Sequence, residues 1–191
     1  PPLYPVVLAA AFKLTGMDFT PPEGRDVFTP ERIVVGVNYL FTVLSGWLIF
    51  LIGRKLFDRR VAVLGMTLYF LSDTVLATSL SGTNLPMTAF LGLAAIWFAL
   101  LAAQLNQDGA PAVQWVSAAM FSATLCALAI LTRYGAFILV PGLVLFIGWS
   151  VKEKGWAWAG IFLAVVLAFM APWLVRNKLV SGGFLGLAPY S

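Results

Sequence analysis

The sequence predicts an all-α integral membrane protein: a polytopic bundle of about six transmembrane helices with a short interfacial helix at its N-terminal end. Three observations carry that expectation. Of 191 residues, 61% are apolar and 10% are charged, and the mean hydropathy is +0.93. Soluble domains hold about 45–50% apolar and about 25% charged residues. The apolar residues fall into runs of 17 to 20, the length that crosses a hydrocarbon core of about 30 Å. Short polar turns separate the runs, and one of them, "GRKLFDRR", carries four basic residues and one acid.

The first element is short. In "PPLYPVVLAAAFKLTG", Leu3, Val7, Ala11 and Leu14 share one helical stripe and Gly16 supplies a stop. About a dozen apolar residues cannot span a bilayer, so this helix is expected to rest on the membrane surface. The segment "MDFTPPEGRDVFTPER" reads as an aqueous loop, and residues 1–32 together form a surface helix and loop. Thr29, Pro30 and Glu31 then supply a cap, a first-turn proline and a dipole-complementing acid. The first span runs from Ile33 to Ile52, with Asn38 its one strongly polar member. Further spans are expected over 61–80, 85–103, 113–131, 134–150 and 156–175, so residues 33–191 form one transmembrane bundle. Alternation puts "GRKLFDRR", "QLNQDGAP" and "KEKG" on one side, with six Lys and Arg against three in the loops opposite. Lys13, Arg25 and Arg32 make the totals equal, so the tight basic cluster is what marks the first side as cytoplasmic.

Composition also excludes chemistry. There is no histidine, and Cys126 is the single cysteine. A zinc site of ordinary type, a Ser-His-Asp triad and a His-ligated haem are therefore beyond this chain, and no cofactor is implied. The net charge of +4 comes from twelve basic residues scattered among apolar runs, which form no stripe able to follow nucleic acid. The expected partner is the lipid bilayer.

The order of parts carries a resemblance. "PPLYPVVLAAAFKLTG", an aqueous loop, a span, "GRKLFDRR", further spans, "LTRYGAF", "KEKG" and "PWLVRNKLVSGGF" follow one another. Together these resemble the protein O-mannosyltransferase and aminoarabinose transferase family, the polyprenyl-phosphate-sugar-dependent glycosyltransferases of the C-type superfamily. The likeness covers most of the chain, and its most specific part is "PPL" at residue 1, which resembles the His-Pro-Pro-Leu lead-in to an outer-face helix. The resemblance implies a polyprenyl-phosphate-linked sugar as donor, other membrane subunits as potential partners, and a multi-pass bacterial inner-membrane protein with its active face outward. It also implies an acidic catalytic base in an outer loop upstream of Pro1, so that the chain is expected to be the middle of an enzyme. A non-catalytic scaffold subunit derived from the same family is the alternative; a transporter would need broken helices and midplane charges, for which Asp73 alone is thin support.

Seven residues are candidates for substrate binding. Arg133, in a short turn where a helical hairpin meets the headgroups, has a guanidinium fork that matches phosphate; the family places a phosphate-holding arginine in this neighbourhood, and an interfacial anchor is the other reading. Arg176, Asn177 and Lys178 follow Pro172, which is expected to kink or end the last helix, and either stabilise a leaving phosphate or simply complement a helix terminus. Arg32 carries the same two readings. Asp73 stands 12 residues into the 61–80 run, about 18 Å along it, where a lone carboxylate should face the bundle interior, a cavity or a basic partner. Asn84 is a helix cap or a sugar contact. The loop acids Asp18, Glu23, Asp26 and Glu31 interleave with basic residues in a Pro-rich segment and read as solvated surface.

Overall fold

A computed structural model describes residues 1–16, 29–152 and 154–185, which places the loop acids Asp18, Glu23 and Asp26 outside the described residues. The first helix, α1, spans Leu3–Thr15 and ends at Gly16, whose φ of 61° closes the helix in the left-handed conformation that glycine adopts without strain. Thirteen residues rise only about 20 Å, short of a crossing.

Helix α2 (Thr29–Leu56) begins with Pro30 and Glu31 in its first turn and ends on Arg54 and Lys55. The chain turns at Asp58, whose carboxylate accepts the Val61 amide N–H at 2.8 Å, and α3 (Arg59–Phe70) starts there. The 61–80 run is not one straight span. It breaks at Leu71 and Ser72, and α4 (Asp73–Leu80) departs from α3 by 54°. Ser72 is extended (ψ 120°), as befits a residue that precedes a helix, so the Ser-Asp-Thr triplet restarts the helix instead of passing through it. This corrects the expectation for Asp73: it lies exposed in the first turn of α4, with no charged partner among the described residues. There its carboxylate complements the positive end of the new helix.

Helices α5 (Leu85–Gln107) and α6 (Ala112–Thr132) form the central hairpin. Their contact is built from small residues: Ala95, Ala99 and Ala102 on α5 meet Ala119, Ala123 and Ala127 on α6, and all six are buried. Small side chains let backbones approach, and in lipid, where apolar burial drives no association, close packing and interhelical hydrogen bonds take over. Ser122 Oγ donates to the Ala95 carbonyl at 2.7 Å across this seam. The 134–150 run begins as a 3-10 turn, Tyr134–Ile138, before α7 (Leu139–Ser150). Pro141 supplies the reason. It has no N–H to give the Phe137 carbonyl, but it sits where the first turn of a new helix leaves its amides unpaired anyway.

Helix α8 (Gly155–Ser181) passes through Pro172 without ending, so of the two outcomes expected there, a kink or a stop, the stop does not occur. One backbone bond is lost there, while side chains beyond the proline are anchored to α6 and its 3-10 extension, as described below. Among the described residues, four helices (α2, α5, α6 and α8) have the length and apolarity to span a membrane, and the bent α3–α4 pair makes up to five. The run expected as a sixth span is a shorter apolar helix.

Two ends of the bundle result. At the turn end lie Lys55, bonded to Gln104 Oε1, and Lys152, whose Nζ donates to the Gln107 carbonyl at 3.0 Å. At the other end, the rim, the α4–α5 connection, the α6 terminus and the last turns of α8 come together.

Candidate functional site at the rim

The rim is organised by amides and hydroxyls buried in an otherwise apolar bundle. Asn38, fully buried on α2, accepts a hydrogen bond from Tyr4 Oη at 3.0 Å and donates through Nδ2 to the carbonyls of Ser81 (2.6 Å) and Thr83 (3.1 Å). One amide thus ties α1, α2 and the α4–α5 connection together. Burial pushes the Tyr4 phenol above its ordinary pKa, so it remains a protonated donor at neutral pH.

The Ser81–Thr83 connection packs beside Asn38, eight residues into α2 from Pro30, so the first two turns of α2 rise about 12 Å past it. The step leaves a recess of about 900 Å³ bounded by Glu31, Arg32, Val34, Val35, Leu80 and Gly82. Arg32 is exposed on its wall.

Asn84 occupies the residue before α5, but its side chain does not cap that helix. Its Nδ2 instead donates to the Thr132 carbonyl at 2.6 Å, holding the start of α5 against the end of α6. Arg133 follows at once in an extended conformation (φ −154°), its amide closing α6 on the Ala129 carbonyl and its side chain exposed.

Tyr134 is the residue that sequence reasoning missed. Its hydroxyl oxygen accepts from Trp173 Nε1 at 2.8 Å and from Asn177 Nδ2 at 3.1 Å. With its oxygen accepting both bonds, the Tyr134 O–H proton is left to donate elsewhere. Trp173 in turn carries the Arg176 guanidinium 4.8 Å from its ring centroid. Arg133 and Arg176, 43 residues apart in the chain, are therefore joined through Tyr134 and Trp173. The available signal was the tyrosine immediately after Arg133 and a tryptophan three residues before Arg176.

The three residues at the end of α8 do different things. Arg176 is exposed on its tryptophan. Asn177 is buried, and its amide protons go to Tyr134 and to the Phe184 carbonyl at 3.1 Å. Lys178 turns back on the helix terminus, donating to the Gly182 carbonyl at 2.8 Å with Phe184 beneath it. Among the described residues the rim thus presents three exposed guanidinium groups: Arg133, linked to Arg176, and Arg32 at the separate recess. Asp73 is bonded to none of them. No cluster of three or more metal-ligating side chains occurs among the described residues.

A family model described as dolichyl-phosphate-mannose-protein mannosyltransferase matches residues 27–175. The matched segment contains Arg32, Asp73, Asn84 and Arg133 and stops one residue before Arg176. No curated protein and no solved structure matches the chain. The match takes in the rim from Arg32 to Trp173 and the helices of spanning length, α8 as far as Val175, and the chain belongs to the dolichyl-phosphate-mannose-protein mannosyltransferase family of membrane glycosyltransferases.

Proposed function

We propose that this chain supplies the donor-phosphate site of a glycosyltransferase that moves a sugar from a polyprenyl phosphate to an acceptor at the outer face of a bacterial inner membrane. The observation that carries the reading is the Arg133–Tyr134–Trp173–Arg176 chain: two exposed guanidinium groups with a half-buried, hydrogen-bonded scaffold between them. The facing comes from the other end, where the dense basic turn has the character of a cytoplasmic loop.

In the reaction, the bond between the anomeric carbon and the phosphate oxygen breaks while a bond to the acceptor oxygen forms. The acceptor proton passes to a general base and the polyprenyl phosphate departs with an added negative charge. Arg133 and Arg176 neutralise that charge, and fixed donors are most effective where they cost no reorganisation as charge develops. The remaining Tyr134 O–H adds a neutral donor, and Arg32 contacts the donor or acceptor from its own, separate recess. Asn84, Asn177 and Lys178 act by holding the ends of α5, α6 and α8 in place.

Arg133→Ala in the natural protein, assayed in membranes with a polyprenyl-phosphate sugar, is expected to lower transfer by roughly 10²–10³-fold. Arg133→Lys should recover only part, since an ammonium keeps the charge but not the fork. Wild-type transfer rates in Arg133→Ala would remove the residue from the mechanism, and equal loss in Arg133→Ala and in a variant of a lipid-facing residue such as Trp47 would reduce it to a folding effect.

A further inference from the structure

The four basic residues of the "GRKLFDRR" turn separate by partner. The Arg54 guanidinium lies 5.9 Å from the Phe50 ring centroid, and Lys55 is bonded to Gln104 with its ammonium 5.2 Å from the Trp97 ring. Arg59 and Arg60 have no such occupation: both are exposed and neither has an acidic partner among the described residues. Their neighbour Asp58 accepts the Val61 amide instead. The two arginines head a recess of about 570 Å³ whose wall continues along α3 as Val63, Leu64 and Thr67. From Arg60 to Thr67 the helix rises about 10 Å, and Val63 and Leu64 are 43% and 58% exposed on it. The recess is cationic at its mouth and apolar along its depth, and it lies at the end of the bundle opposite the rim.

We propose that this recess is a binding site for an anionic phospholipid of the bilayer. Its phosphate sits against the Arg59 and Arg60 guanidinium groups, whose planar forks pair with phosphate oxygens in twos. One acyl chain lies along Val63 and Leu64. Charge complementarity selects the occupant: two cations without an acidic partner among the described residues favour a net negative lipid over a zwitterionic one. The apolar wall favours a lipid over a soluble phosphate, which would leave Val63 and Leu64 unused.

The test is native mass spectrometry of the natural protein titrated with phosphatidylglycerol and with phosphatidylcholine of the same acyl chains. The wild type should bind phosphatidylglycerol preferentially. R59Q/R60Q should lose roughly 30-fold in that preference, about fivefold for each charge removed, while R59K/R60K keeps most of it. Should the double variant not fold, R59Q and R60Q singly are each expected to show the fivefold loss. Equal binding of the two lipids by the wild type overturns the proposal, as does an undiminished preference in R59Q/R60Q. Displacement of phosphatidylglycerol by inorganic phosphate at equal concentration overturns the lipid assignment and points to a soluble anion. None of these readouts involves sugar transfer.

Discussion

Asn38→Leu removes the one side chain that joins three elements of the rim, and its cost follows from the bonds it makes. The Tyr4 bond is buried, so its loss strands a phenol and should cost about 1–1.5 kcal/mol. The bonds to the Ser81 and Thr83 carbonyls are part-buried, and water reaches those oxygens more readily once the amide is gone. About 0.5–1 kcal/mol each is appropriate, in keeping with the modest values of hydrogen bonds measured within membranes. The total is about 2–3.5 kcal/mol, equivalent to a fall of roughly 5–10 °C in melting temperature for a chain of this size. Melting of the detergent-purified natural protein measures it, and a cycle with Tyr4→Phe isolates the α1 contact. If Asn38 works as described, the two substitutions are sub-additive by about 1 kcal/mol, because either one alone removes their shared bond. Strict additivity, or a melting temperature within 1 °C of wild type for Asn38→Leu, refutes the reasoning.

Two further outcomes test the packing. A β-carbon on Gly53 would lie 2.9 Å from the Ala62 Cα, so Gly53→Leu must push α2 from α3 and should destabilise by about 1–3 kcal/mol; Gly36→Leu, where nothing lies within 4 Å, should melt like the wild type. Cys126, fully buried on α6 and the one thiol in the sequence, should resist a maleimide in the folded protein and react after denaturation in detergent; rapid labelling in the native state would contradict the central α5–α6 packing.

Four helices of spanning length were legible because run length and composition leave a helix as the way for such a run to satisfy its backbone in hydrocarbon. The spans expected at 85–103 and 113–131 lie inside α5 and α6, and those at 33–52 and 156–175 lie inside α2 and α8. The break in 61–80 was less legible, since Ser72 and Asp73 look like two polar residues inside an apolar window. Their reading as a helix start needs the ψ of Ser72, which a hydropathy count does not contain. The extension of α8 beyond Pro172 was hidden for a different reason. Local propensity argues for a kink or a stop, and the contacts that hold the helix beyond the proline come from Tyr134, 43 residues before Asn177 in the chain.

The same distinction explains which part of the candidate site could be found from the sequence. Arg133, Arg176 and Arg32 stand out one by one, because a guanidinium at the edge of an apolar run has few alternatives to a phosphate or the interface. In the function proposed above, what sets Arg133 and Arg176 apart from ordinary anchors is not their own identity but Tyr134 and Trp173 between them, a pairing 39 residues apart that the sequence does not display. A phenol that accepts two N–H donors is rotationally fixed, so the backbone of Arg133 and the tryptophan under Arg176 are held in one register. An arginine serving only to anchor a hairpin gains nothing from such a register, whereas two arginines that meet the same anion gain the preorganisation on which charge stabilisation depends. The long-range bond from Trp173 to Tyr134 is therefore the better guide to function here, and the arginines follow from it.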